Sequence, residues 1–476
     1  MVELPGRTDE LQRIDSLLAG RSAVEPCLLL RGEPGIGKTA LLDAAAARAE
    51  AAGMRVLRAA GARSEAGIAF SALHQLLYPL HDRGGGLPGV PDLARAGSQD
   101  PVAVATAVLA LLVKIGAELP VLLTVDDVAR LDDASARVLG FVARRLAGTG
   151  VTFLAAARTG PAGVLDGAGL PEATVGPLAE RSAAAVLDAE GDDLAPPVRR
   201  RLLDEAGGNP LALRELPGAL TERQRSGQEP LPTFLPLSGR LEAALAPAVE
   251  RLSVPTRRLL LLAALEPGAG LATLLPAARG RASADDLEPA RRTGLVHADP
   301  VGIRIAFRPP VVRSAIVQLC APADRRWAHR GLAERAEAAS DRAWHLAAAA
   351  QGPDEAVATA LEQTFLADFR RGRAAIAVTA LVRAAELSPR AADRARRLIE
   401  AAYLASSTGP LERVTHLLAD ARMAADARSA SDARSGSVFA AATAVYLLNA
   451  DGDVDGAYRL LSRAIEDADA AQTASR

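Results

Sequence analysis

The chain has 476 residues, which at roughly 100 to 200 residues per domain makes two to four domains, each large enough to bury a core. Apolar residues are 49% of it and aromatics 3%, so the apolar share is mostly Ala, Leu and Val, which suits helix-rich layers and argues against a β-sandwich or barrel. The 55 Lys and Arg against 57 Asp and Glu leave a formal charge of −2, without the positive excess of a protein that coats nucleic acid.

Two cysteines, Cys27 and Cys320, lie far apart and six histidines form no ligand-spaced cluster, so neither a disulfide framework nor a structural zinc site is expected. Glu3, Arg7, Asp9 and Glu10 exclude a secretory apolar segment at the start. The uncharged apolar runs at 101–113 and 435–450 stop at Lys114 and Asp451, short of a membrane span. A reduced, cytoplasmic protein with no membrane partner is expected.

The first chemical signal is Gly32-Glu33-Pro34-Gly35-Ile36-Gly37-Lys38-Thr39, preceded by the apolar run Cys27-Leu28-Leu29-Leu30 and followed by Ala40-Leu41-Leu42. It matches the G-x-x-x-x-G-K-[ST] phosphate loop in its strand, loop, helix context. Glycines 32, 35 and 37 let the backbone turn its N–H groups inward, where the positive end of the next helix adds to the cradle. Lys38 is expected to reach the β- and γ-phosphates of ATP and Thr39 to place its hydroxyl on Mg²⁺, with Glu33, Pro34, Ile36 and Ala40 counted among the nucleotide-binding residues. Only two of the 55 basic residues are lysines, Lys38 and Lys114; a compact ammonium enters a tight phosphate site where a guanidinium fork does not.

After a stop signal at Gly53, residues 55–60 read as a second strand. Residues 121–127, Val-Leu-Leu-Thr-Val-Asp-Asp, read as a buried strand running into two acids. Asp126 is the candidate Mg²⁺ holder and Asp127 the candidate that polarises an attacking water; two adjacent acids also suit a solvated strand end. Residues 151–157 form a further strand, ending at Arg158. In a parallel sheet the carboxyl ends line the ligand crevice, which places Arg158 to sense a γ-phosphate, although a surface arginine satisfies the same spacing. The order strand, helix, strand, helices, strand, helix, strand predicts a three-layer α/β P-loop NTPase core over residues 1–175.

Further on, residues 241–340 read as helices interrupted by the alternating segment 302–307, which suits a winged-helix-like module over 236–340. From 341 to 476 the pattern is paired helices. Gly372, Gly409 and Gly452 each precede a leucine at one register, Leu381, Leu418 and Leu461, resembling incomplete tetratricopeptide-type (TPR-like) repeats, for which chance recurrence in an Ala-rich region is the rival account. Residues 425–437 read as a low-complexity linker or mobile helix, and a last helix is expected over 456–469.

Taken together, Pro5-Gly6-Arg7-Thr8-Asp9-Glu10-Leu11, the phosphate loop, Phe70-Ser71-Ala72-Leu73-His74-Gln75-Leu76-Leu77, Asp126-Asp127 and Gly208-Asn209-Pro210-Leu211-Ala212-Leu213 resemble the large ATP-binding LuxR-type transcriptional regulators. These belong to the STAND class of signal-transduction NTPases, relatives of the AAA+ ATPases. The resemblance implies that Gly6 and Arg7 frame the adenine and that Asn209 and Pro210 lie in a helical lid over 176–235. It also implies that the winged-helix module is an internal arm of a switch.

Two motifs depart from the family. Its Asp-Asp-Ala-His-Trp-Leu-Asp becomes Asp126-Asp127-Val128-Ala129-Arg130-Leu131-Asp132, and its Phe-Arg-His-Pro becomes Phe307-Arg308-Pro309-Pro310. Proline offers no donor, so ATP binding is expected to be firmer than hydrolysis. No terminal helix-turn-helix is found, so DNA contact would require one not present in this chain. Two functions remain open: an ATP-dependent switch, a slow ATPase that controls assembly with a protein partner or with itself through the repeats, and a nucleotide-stabilised scaffold with little turnover. A metabolic kinase would need an acceptor base that no segment nominates.

Overall fold

A computed structural model of the chain describes residues 4–20, 26–80, 101–160, 164–191, 193–298, 304–371, 373–406 and 411–426, with short pieces at 440, 443–444, 455–456 and 458–462. The three register glycines, residues 427–437 and most of the helix expected over 456–469 lie outside the described residues.

In chain order the elements are α1 Thr8–Leu18, β1 Cys27–Gly32, α2 Lys38–Ala51, β2 Arg55–Ala60, α3 Ser71–Leu77, α4 Pro101–Glu118, β3 Val121–Asp126, α5 Asp133–Ala143, β4 Val151–Arg158 and β5 Glu172–Thr174. Next come α6 Glu180–Asp188, α7 Pro196–Ala206, α8 Pro210–Glu215, α9 Glu222–Arg225, α10 Gly239–Glu250, α11 Val254–Leu265, α12 Leu271–Ala277, α13 Glu288–Arg292, β6 Val296–Ala298, β7 Ile305–Phe307 and α14 Val312–Leu319. Six further helices follow: α15 Pro322–Ala333, α16 Ala339–Ala349, α17 Glu355–Arg370, α18 Ala374–Glu386, α19 Ala391–Ser406 and α20 Leu411–Asp426. They divide into two compact units, Met1–Thr256 with Asp285–Leu319, and Arg257–Ala284 with Cys320–Arg476. The segment expected as one winged-helix-like module contributes to both. No helix among the described residues is long and apolar enough to cross a membrane.

The first unit is built on a parallel sheet of order β2-β3-β4-β1-β5. Its inner strands β1, β3 and β4 are buried on both faces because successive side chains enter opposite cores. Leu28 and Leu30 of β1, Leu122 of β3 and Leu154 of β4 meet Ile14 and Leu17 of α1 and Leu41, Leu42 and Ala45 of α2. The alternate residues Leu29, Leu123, Val125, Phe153 and Ala155 meet α3, α4 and α5 through Leu73, Val108 and Leu139. Because β4 lies between β1 and β3, its carboxyl end separates the phosphate loop from the acidic pair. Gly32 pairs with Arg158 across that edge.

The motif at 70–77 forms α3, whose start Asp132 fixes. Its carboxylate accepts from Phe70 N at 2.7 Å and Ala72 N at 3.2 Å, and from Ser135 N at 2.8 Å, capping α5 at the same time. Phe70 needs that support, since its φ of 63° is left-handed and costly for a bulky side chain. Gln75 then accepts from Ala60 N at 2.9 Å, closing the end of β2.

In the second unit each helix from α15 to α20 packs on the next, an arrangement consistent with helical repeats. The register leucines Leu381 and Leu418 share one apolar core with Ala377, Val378 and Ala401. Arg397 of α19, 1% exposed, crosses to α17: Nε meets Glu362 Oε2 at 2.8 Å and Nη2 meets Glu355 Oε1 at 2.7 Å. On α15 and α16, His329 Nδ1 and His345 Nδ1 are 3.0 Å apart, and His345 Nε2 is 3.0 Å from Glu266 Oε2. One ring must donate and the other accept. Burial, with His345 and Arg325 adding to it, lowers His329 to about 4.

Candidate functional site

The loop between β1 and α2 turns through Gly35 at φ 78° and Gly37 at φ 101°. Both angles suit glycine alone. Gly35 is further constrained by packing: a Cβ there would lie 2.8 Å from Asn209 Oδ1. Lys38 Nζ folds over the loop and donates to Gly32 O and Glu33 O, each at 2.8 Å. Burial, then the nearby charge of Arg158, lowers Lys38 to about 8 against the pull of Asp126, Asp127 and Glu33. Glu33 is itself raised by burial, which outweighs Arg308 and Lys38.

At the end of β3, Asp126 Oδ2 accepts from Thr39 Oγ1 at 2.7 Å, and its other oxygen accepts from Asp127 N at 2.7 Å. Those two bonds orient the carboxylate beside the threonine hydroxyl. Asp127 adopts φ 46°, and Gly61 permits the bend because a Cβ there would collide with the Asp127 carbonyl. Two arginines hold the Asp127 carboxylate. Arg130 Nη1 reaches Oδ2 at 3.0 Å, while Arg158 places Nε 3.4 Å from Oδ1 and Nη2 3.4 Å from Oδ2. Oδ1 is buried and accepts no hydrogen bond. Arg158 Nη1 also lies 3.4 Å from Ala244 O on α10.

These groups open on one cavity of about 510 Å³. Of the residues singled out from the sequence, Arg7, Pro34, Gly35, Gly37, Lys38, Thr39, Ala40, Asp126, Asp127, Arg158 and Pro210 line it. Gly6, Gly32, Glu33, Ile36 and Asn209 do not; they support the lining. Ile36 is 1% exposed. Gly6 approaches Ser182 of α6 too closely for a side chain. Asn209 caps α8 through Leu211 N and Ala212 N and donates to Pro34 O at 2.9 Å, tying the helix to the loop. Arg7 acts as a buried strut, with Nη2 on Ile36 O at 2.8 Å and Nη1 on Gly176 O at 2.8 Å and Glu10 Oε1 at 2.9 Å.

Sequence reasoning missed the apolar wall of Leu4, Leu178, Val186 and Leu211, and the polar contributions of Asp43, Arg214 and Arg240. Leu211 was within reach, being next to Pro210 in the helix start. Leu178 and Val186 follow a three-residue strand that leaves no periodic signal. Near the loop's other side, Arg308 Nε is 3.7 Å from Glu33 Oε1, so the residue before Pro309 supplies a cation beside the phosphate loop.

Residues 3–154 match the family described as the AAA ATPase domain, so this chain carries such a domain, and the match implies nucleotide binding. Among solved structures the chain is similar to a signal transduction ATPase with numerous domains (STAND) protein with a tetratricopeptide repeat sensor from Pyrococcus horikoshii. That likeness has 13% identity and a TM-score of 0.32, covering 96% of this chain and 70% of that one. AMPPCP-bound DnaA from Aquifex aeolicus shares 14% identity at a TM-score of 0.33, over 61% of this chain and 88% of its own. RuvB from Thermotoga maritima shares 14% at 0.31, over 64% and 91%. No curated protein sequence matches the chain.

Proposed function

We propose that the first unit binds Mg·ATP and serves as a slow STAND-type signalling switch of the kind the LuxR-type regulators contain. The observation that carries this is the convergence of Lys38, Thr39, Asp126 and Arg158 on one cavity behind a left-handed glycine loop. Backbone N–H groups of the loop and the start of α2 would cradle the phosphates, with Lys38 supplying the charge. Thr39 and Asp126, already 2.7 Å apart, offer hard oxygen donors that fit Mg²⁺, which when bound supplies charge neutralisation. Leu4, Leu178 and Val186 offer an apolar slot for the base, next to the Arg7 strut. Arg158 would exchange Asp127 for the γ-phosphate, and its contact with Ala244 would carry that change to α10.

Under this reading the core spans 1–175, the helical lid 176–235, the winged-helix-like arm 236–340 and the TPR-like repeats 341–476, in a cytoplasmic protein. The repeats would present a surface for a protein partner or for self-association, and a role in transcription would need a helix-turn-helix outside this chain. One observation favours the second reading, a nucleotide-stabilised scaffold: Asp127, the candidate water-polarising group, is engaged by two guanidiniums. Calorimetry tests the shared premise. Lys38→Ala should abolish Mg·ATP binding, and an unchanged affinity would refute the site. Phosphate release that is measurable in the parent and lost in Asp127→Asn separates switch from scaffold.

A further inference from the structure

Asp127 is the candidate for orienting a water at the end of β3, yet one of its two carboxylate oxygens is already engaged. Oδ2 receives Arg130 Nη1 at 3.0 Å and Arg158 Nη2 at 3.4 Å, and each guanidinium hydrogen on that oxygen is one acceptor position withdrawn from a water. The carboxylate is also fixed from both sides, so it cannot rotate without breaking an ion pair.

The two arginines differ in what can remove them. Arg158 lines the cavity, and its charge is felt at Lys38; an anion placed there competes directly with Asp127 for it. Arg130 does not line the cavity. It sits three residues along the short turn Val128–Arg130 and is tethered to Asp127 by that turn. Its surroundings also drive it toward the carboxylate. Arg158, Arg130 and Arg63 together depress Arg251, after burial, so guanidiniums gather near Asp127, which pairs with Arg130 and Arg158. Arg63 has its own partner in Glu250 at 4.0 Å. An arriving phosphate therefore relieves Asp127 of one arginine and leaves it with the other.

We propose that Arg130 is a positioning residue that holds Asp127 out of alignment for an attacking water and so sets a slow rate of ATP turnover. This inference rests on the nucleotide reading above. In the reaction it restrains, the water oxygen bonds to the γ-phosphorus as the bond from that phosphorus to the β–γ bridging oxygen breaks. ADP leaves with that electron pair, and a water proton passes to the Asp127 carboxylate. Arg130 acts only through the carboxylate, and it stands where the resembling regulators have tryptophan, which cannot form this ion pair.

The test compares the parent chain with Arg130→Ala and Arg130→Gln, the second keeping most of the side-chain length. Steady-state phosphate release at saturating Mg·ATP is read beside ATP affinity by calorimetry. Release should rise about tenfold in both variants with affinity held within about twofold, a gain that damage to the fold does not produce. Adding Asp127→Asn to either variant should remove the gain. Unchanged or slower release at retained affinity overturns the proposal, as does a gain that survives Asp127→Asn. A parent chain that does not bind ATP fails at an earlier step and overturns the nucleotide reading itself.

Discussion

Lys38 makes a pH experiment sharp. Its amine is lowered from 10.5 to about 8, first by burial and then by Arg158, a difference of about 3 kcal/mol between charged and neutral forms. Gly32 O and Glu33 O accept its hydrogens, but carbonyls offer only partial charges and burial wins. The unfolded chain binds this proton more tightly than the native one, so the group's contribution to stability rises as pH climbs from about 8 to 10.5. A bound polyphosphate reverses the balance by giving the ammonium full counter-charges. The empty site is about nine-tenths protonated at pH 7, half at pH 8 and one-tenth at pH 9, whereas the complex stays protonated throughout. The Mg·ATP dissociation constant should therefore weaken about tenfold from pH 7 to 9. Binding should take up about 0.1 proton at pH 7 and about 0.9 at pH 9, read by calorimetry in two buffers of different ionisation enthalpy. An affinity that is flat over this window, with no buffer-dependent heat, would refute the placement of Lys38 against the phosphates.

Asn209→Ala removes the cap of α8 and the bond to Pro34 O. It should cost about 2 kcal/mol in urea unfolding and weaken ATP binding, because Gly35 loses its brace; a stability loss with unaltered affinity would show that α8 does not support the loop. Arg397→Ala leaves Glu355 to Thr359 Oγ1 and Glu362 to Arg396. It should cost about 3 kcal/mol in the urea transition of the second unit, and a loss below about 1 kcal/mol would mean the buried network is not what joins α17 to α19.

What was legible in the sequence follows from how local each signal is. The strand, loop and helix around Lys38 lie within one stretch, and the acidic pair closes an apolar strand, so residues and elements coincide. Arg158 was placed by the rule for parallel sheets, and its neighbours follow from β4 lying between β1 and β3. The strand β5 was not foreseen, since three residues carry too little periodicity to distinguish them from a loop. Arg7 was placed on the base side by resemblance alone; its hold on Ile36 O and Gly176 O joins residues that only the fold brings together. Arg130 was noticed as a missing tryptophan. Its contact with Asp127 spans three residues and is local, but it depends on the left-handed backbone at Asp127, which no residue type at 127 announces.

A loop that merely gripped a phosphate would need little beyond α2 behind it, yet four downstream groups touch it or the arginine beside it. Leu211 N donates to Gly35 O at 3.2 Å, Asn209 holds Pro34 O, Arg308 faces Glu33 and Arg158 touches Ala244. Pro310 packs so tightly on Gly207, two residues before Asn209, that no side chain would fit there. A ligand shifts a conformational equilibrium only by binding its states unequally. Of the residues that line the cavity, Pro34 and Gly35 meet Asn209 and Leu211 at the start of α8, and Arg158 meets Ala244 of α10, so a ligand bound there would touch residues that also touch those helices. Pro309 offers no donor, while its neighbour Arg308 makes a charged link to Glu33. Burial raises Glu33 against the pull of Arg308 and Lys38, so a cation from the loop and a cation from residue 308 act on the same carboxyl group.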